Sequence, residues 1–375
     1  MNTAAAMLFA ARTAAWTLLF GGWLVLGTLA LHHGPAGALQ FAPLALWLGS
    51  VALAQQGLLR HPPGPWALRG GLVAAGAVAA AGVASNAWVP AALSWGVLLA
   101  AASTVVPHGR GASPGRAASP RGPALLAALC AAVVVGDPLA GGAMAAMAAL
   151  PAVLAAALAC VVPLGPPAPA RAGCRSGLFD CALGLPPWAA RATPQGRLRA
   201  VAALAMLPMM ALLPWMLEAC RSEAGLWAFG PRTAVALHLL AMLLPAWWPR
   251  AVPAAGVAGL LVAGGVCALV LPGGSGLMLG MALQAAAWGC VWRDAVVPGQ
   301  GTVPRAHGAG GALAVLVLGA GLVVWPGPPA TAMAAVAAAL GLAAAWAWGS
   351  GWVGQGPHER AMASLPERSG QTHSV

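Results

Sequence analysis

The chain has no lysine, no isoleucine and no tyrosine, and only 7 acidic residues in 375. Charged residues of both signs make up 7%. A soluble domain carries roughly 25%, so no compact fold of this chain could cover itself with a charged, water-facing surface. That excludes a soluble enzyme and a nucleic-acid-binding domain. Disorder is excluded from the other direction, because 60% of the residues are hydrophobic and mean hydropathy is +0.82. An all-α polytopic integral membrane protein is what remains. The 18 basic residues are all Arg, and Ala, Gly and Pro abound. Such a bias follows from a GC-rich coding sequence and is not read as function.

Other signals are missing as well. There is no nucleotide-binding P-loop, no zinc-ligand spacing and no Ser/His/Asp or paired-carboxylate constellation at membrane depth. The chain is therefore expected to be neither an ATP-driven pump nor an enzyme. The 7 cysteines fall mostly in apolar stretches, where Cys acts as a small hydrophobe.

What is present is a series of long apolar runs bounded by charge. A spanning helix needs about 20 apolar residues. The charge-free stretch between Arg12 and Arg60 fits two, with a turn at His32-His33-Gly34-Pro35. Arg69 to Arg110 fits two, divided near Pro90, and Pro123 to Pro163 fits two, split at Gly136-Asp137-Pro138. Val201–Leu217 and Thr233–Trp248 fit one each. Val252 to Trp292 fits two, divided at Pro272-Gly273-Gly274, and Ala309 to Gly351 fits the last two. The sum is about 12 transmembrane helices in a 6+6 arrangement. Residues 1–164 form the N-terminal six-helix half and 165–199 an Arg/Pro-rich cytoplasmic loop. Residues 200–352 form the C-terminal half, and 353–375 a polar tail expected to be disordered. The first apolar stretch lacks a clear signal-cleavage site and is expected to stay as span 1.

Charge supplies the orientation. With the N-terminus inside, the cytoplasmic loops carry Arg60 and Arg69, then Arg110, Arg116 and Arg121, then the cluster from Arg171 to Arg199, then Arg250, then Arg293 and Arg305. The opposite loops are nearly free of Arg, apart from Arg221 and Arg232, which Glu218 and Glu223 offset. This alternation predicts an N-in, C-in protein of a bacterial inner membrane. It also accounts for the net charge of +11 without a nucleic-acid partner. The partners expected are the lipid bilayer and a small solute or metal ion, with another membrane protein left open. Many of the 17 Trp lie near span ends, as in an interfacial belt. Trp16, Trp23, Trp47 and Trp288 lie deeper and are expected to be packing residues.

Polar groups inside spans are costly and so are worth weighing. Gln284 falls within span 10, Glu218 ends span 7, and His32 and His33 lie at the outer turn after span 1. Together with Met209 these are the candidate pathway groups. A sharper constellation lies in spans 7 and 8. Met206 and Met210 are one turn apart with Met209 on the same side, and Pro208 and Pro214 should loosen this helix. His238 and Met242 are likewise one turn apart on span 8. Thioethers with an imidazole form a neutral, soft donor set that suits Cu(I). The competing reading is that Met fills gaps in a helical core and His238 bonds to a neighbouring helix.

Twelve spans in two sixes, with Met206-x-x-x-Met210 on span 7 and His238-x-x-x-Met242 on span 8, resemble the CcoA-type copper importers of the major facilitator superfamily. The loop Arg60–Arg69 lacks the Gly-x-x-x-Asp-Arg-x-Gly-Arg pattern common in that superfamily. The resemblance implies import of copper by alternating access, with Met206, Met210, His238 and Met242 as metal ligands. Two other functions stay open on the residues alone. One is a membrane protein holding haem or copper through histidines, in respiratory or nitric-oxide metabolism. The other is an assembly or scaffold protein that moves no cargo.

Overall fold

The computed structural model describes residues 3–34, 39–105, 126–132, 143–162, 230–247, 254–270 and 273–296. Among the described residues the regular structure is entirely helical. In chain order it comprises α1 (Thr3–His33), α2 (Ala42–Arg60), α3 (Pro65–Ala84) and α4 (Trp88–Val105). Next come α5 (126–132) and α6 (Ala143–Val161), then α7 (Gly230–Leu243), which runs on as a 3₁₀ turn over Leu244–Trp247. Last are α8 (Ala254–Val270) and α9 (Gly273–Val296). The helices α7, α8 and α9 are thus spans 8, 9 and 10 of the sequence. Spans 7, 11 and 12, the 165–199 loop and the 353–375 tail lie outside the described residues.

Lengths follow from the apolar runs. At 1.5 Å per residue the 20 residues of α3 reach about 30 Å, the thickness of a hydrocarbon core. The helices also show which faces meet lipid. Along α4, Val89, Leu93 and Val97 recur every four residues and are each about two-fifths exposed, while Ala91, Ala92, Trp95 and Leu98 on the other side are fully buried. Only 28% of the apolar stretch of α3 is buried. Apolar stripes of this extent have no place against water and match a hydrocarbon solvent. By contrast α1 is buried continuously from Ala14 to Ala30 and forms the centre of its group.

Packing falls into two sets. The helices α1, α2, α3, α4 and α6 pack on one another, and α7, its 3₁₀ extension, α8 and α9 do the same. In the first set the indole of Trp95 donates to the Leu18 carbonyl at 2.9 Å and ties α4 to α1. Trp23 and Trp47 meet edge to face at 5.1 Å across α1 and α2. Trp16, Trp23 and Trp47 are all buried, in keeping with packing roles. Hydroxyls are satisfied within their own helices. Thr13, Thr17 and Thr28 donate to the carbonyls of Phe9, Thr13 and Leu24 four residues back, at 2.9, 2.8 and 2.7 Å. Away from water such internal bonding is what keeps a hydroxyl tolerable.

Two expectations about boundaries need correction. The break between spans 3 and 4 lies at 85–87, where Asn86 takes a positive φ of 56°, and not near Pro90. Asn tolerates the left-handed conformation, and Pro90 is accommodated in the first turn of α4, where its missing N–H costs nothing. Helix α1 begins at Thr3, nine residues before Arg12, so it extends beyond the charge-free stretch that fits span 1.

Candidate solute and metal site

The two buried polar side chains among the described residues of the second set, His238 on α7 and Gln284 on α9, lie on helices that pack together along a seam. On α7 the buried positions are Ala234, Val235, His238, Leu239, Met242 and Leu243. Their spacing traces one face of a 3.6-residue helix, so His238 and Met242 both lie on the seam, about 40° apart and about 6 Å along the axis. The helix ends soon after. Pro245 cannot donate to a carbonyl one turn back, and the chain tightens into the 3₁₀ segment Leu244–Trp247. The His–Met pair therefore sits one turn from a break in the helix.

His238 is only 2% exposed. Neither ring nitrogen has a hydrogen-bond partner among the described residues. The main chain of Met281 lies beside the ring, outside bonding geometry. Leaving a buried polar group unbonded costs about 1–3 kcal/mol, so an orphaned imidazole asks for a ligand. Gln284, one turn beyond Met281 on α9, is 5% exposed and its Nε2 is also unpartnered. The other face of this residue is held against α8, where its Cγ lies 3.0 Å from the place a Cβ on Gly264 would take.

The described residues place the sequence-derived site as follows. His238 and Met242 share the buried face of α7, and Gln284 is buried on α9, its packing partner. Met206, Met209, Met210 and Glu218 lie outside the described residues. His32 and His33 are exposed at the end of α1, unlike the buried His238. That contrast removes support from a single haem pocket holding all three. Sequence reasoning passed over Met281, which is fully buried. The signal was available in Met278-x-x-Met281-x-x-Gln284, a repeat of three along one helix.

The donor chemistry restricts what the seam could bind. Among the described residues no group of three or more His, Cys, Asp or Glu could hold a metal ion. The one acid among them is Asp294, in the last turns of α9, about 20 Å along the axis from Met281. A hard cation such as Mg²⁺ or Ca²⁺ needs several oxygen ligands, and this seam supplies none that are charged. It offers neutral nitrogen and sulfur donors plus an amide.

No protein-family model and no curated protein sequence matches the chain. Solved structures do. The nucleoside transporter NupG superposes with a TM-score of 0.58 at 13% identity, covering 97% of this chain and 100% of that one. An auto-inhibited peptide transporter of the POT family gives 0.61 at 14% identity, covering 93% and 96%. A bacterial homologue of the human lysosomal transporter Spinster, inward-facing and unoccupied, gives 0.54 at 15%, covering 94% and 98%. The chain shares the fold of these solved transporters. The chain is thus an all-α, multi-pass membrane protein of about 12 helices. The likeness spans nearly the whole length of each neighbour, and these neighbours are transporters and not enzymes. They establish the fold alone.

Proposed function

We propose that the protein is an inner-membrane carrier that moves a small solute by alternating access, with Cu(I) as its cargo. A single observation carries the reading. A buried imidazole with both nitrogens unpartnered among the described residues sits one turn from a buried thioether, on a carrier-type fold. Soft donors select soft monovalent copper, and a neutral site lets the ion leave as readily as it enters. Met206 and Met210 on span 7 would complete the ligand set. The ion is the cargo, so no resident metal is invoked. The test is cellular copper content and oxidase activity in a deletion strain, restored by the wild-type chain and not by His238→Ala.

A second reading has an observation of its own. The Gln284 amide and the His238 ring together leave donors and an acceptor unused, which suits a neutral, hydrogen-bonding organic solute. The neighbours named for nucleosides and peptides carry cargo of that kind. Copper is preferred because the buried His238 ring shares a helix face with the buried thioether of Met242, one turn away.

A further inference from the structure

We propose that Met281 of α9 supplies a further thioether to the cation site of His238 and Met242, so that the cargo is held across the α7–α9 seam. The inference rests on the carrier reading above and adds a ligand from a helix that reading does not use.

Helices α7 and α9 pack against each other, and at one end of the contact they touch main chain to main chain. A Cβ on Gly289 would lie 2.9 Å from the carbonyl carbon of Met242 and 3.1 Å from Cδ of Pro245, and would overlap the Met242 oxygen. So close an approach fixes the register of the two helices. It leaves His238, one turn back along α7, beside the main chain of Met281. Helical side chains lean toward their own N-terminus over the preceding turn. Met281, Met242 and His238 are 0%, 1% and 2% exposed, so all three residues are buried on the two helices that pack together.

Chemistry then separates a ligand from a gap filler. The main chain of Met281 lies beside an imidazole whose nitrogens lack partners among the described residues, so its buried side chain starts from the right backbone position to reach the site. One nitrogen and two sulfurs form a neutral three-donor set, which Cu(I) accepts and which Zn²⁺ and Mg²⁺ do not favour without charged ligands. Because the donors come from two helices, small changes at the seam would tighten or release the ion. The helix break at Pro245 lies where such a change is cheapest.

The test uses the full chain, purified in detergent under reducing conditions, with Cu(I) and Ag(I) as probes. Affinity is read by competition with a chromogenic Cu(I) chelator, and the sulfur count by X-ray absorption. Leu is close to Met in volume, so Met281→Leu should fold, which its melting temperature checks. The expected result is a loss of roughly tenfold or more in affinity for Met281→Leu, the scale of losing one support of a metal site. One sulfur scatterer should disappear with it. Met278→Leu, at a partly buried position on the same helix, should match wild type. If Met281→Leu keeps wild-type affinity and sulfur count while His238→Ala loses binding, the Met281 assignment is wrong and the carrier reading stands. If the wild-type chain binds neither ion, both fall.

Discussion

Met242 and Gly289 meet main chain against main chain: the carbonyl of Met242 occupies the space a Cβ on Gly289 would need. This contact sets how closely α7 and α9 approach, and hence where His238 and Met281 stand relative to each other. Gly289→Ala should force the helices apart, at a cost of about 1–3 kcal/mol. Melting of the purified protein in detergent reads the loss. Gly259→Ala on α8, which points into open space, should leave the melting temperature unchanged or slightly raised.

Arg69 offers a second test, at the end of the first helix set that the charge pattern assigns to the cytoplasm. Its guanidinium donates to the Val162 carbonyl just past α6 at 2.8 Å and lies 5.3 Å over the Trp66 ring. A cation at a helix C-terminus stabilises the dipole and binds an orphan carbonyl. Arg69→Gln should lower stability by about 1 kcal/mol. Trp66→Ala should cost less, because the ring is mostly exposed and the stacking is worth about 0.5–1 kcal/mol there. A larger loss for Trp66→Ala than for Arg69→Gln would contradict this ranking.

Gln284→Leu distinguishes the two cargo readings. Removing a buried amide whose Nε2 lacks a partner among the described residues should leave stability unchanged or raised. Copper binding should persist, since the thioethers and the imidazole remain. If copper binding is absent in wild type and an organic solute's uptake falls in Gln284→Leu, the amide is a solute contact and the second reading prevails.

Much of the fold was legible in residue order. The turn after His33 and the break before Gly273 fall where the Gly-Pro and Pro-Gly-Gly signals put them, because chain reversal needs those residue types. Asn86 was harder, since a lone Asn in a small-residue run carries less signal than a proline four residues on. The first turn of a helix tolerates that proline, so it misled. The site was half legible. His238 and Met242 stand out because imidazole is rare inside spans and the two are one turn apart. Met281 did not stand out: a Met inside an apolar run reads as a gap filler until the packing of α7 on α9 brings it beside His238. The loop Arg60–Arg69 lacks the pattern that the resemblance leads one to expect, yet the fold is shared with the solved transporters, since helix packing and not one loop defines the architecture.

The central claim is that this chain carries Cu(I) through a seam built on His238. The measurement that reaches it most directly is uptake of radioactive copper, under reducing conditions, into vesicles holding the purified protein. The account predicts saturable uptake by the wild-type chain, abolished by His238→Ala and reduced by Met242→Leu, with both variants folded. Uptake that His238→Ala leaves intact, or vesicles no more permeable to copper than protein-free ones, would contradict it.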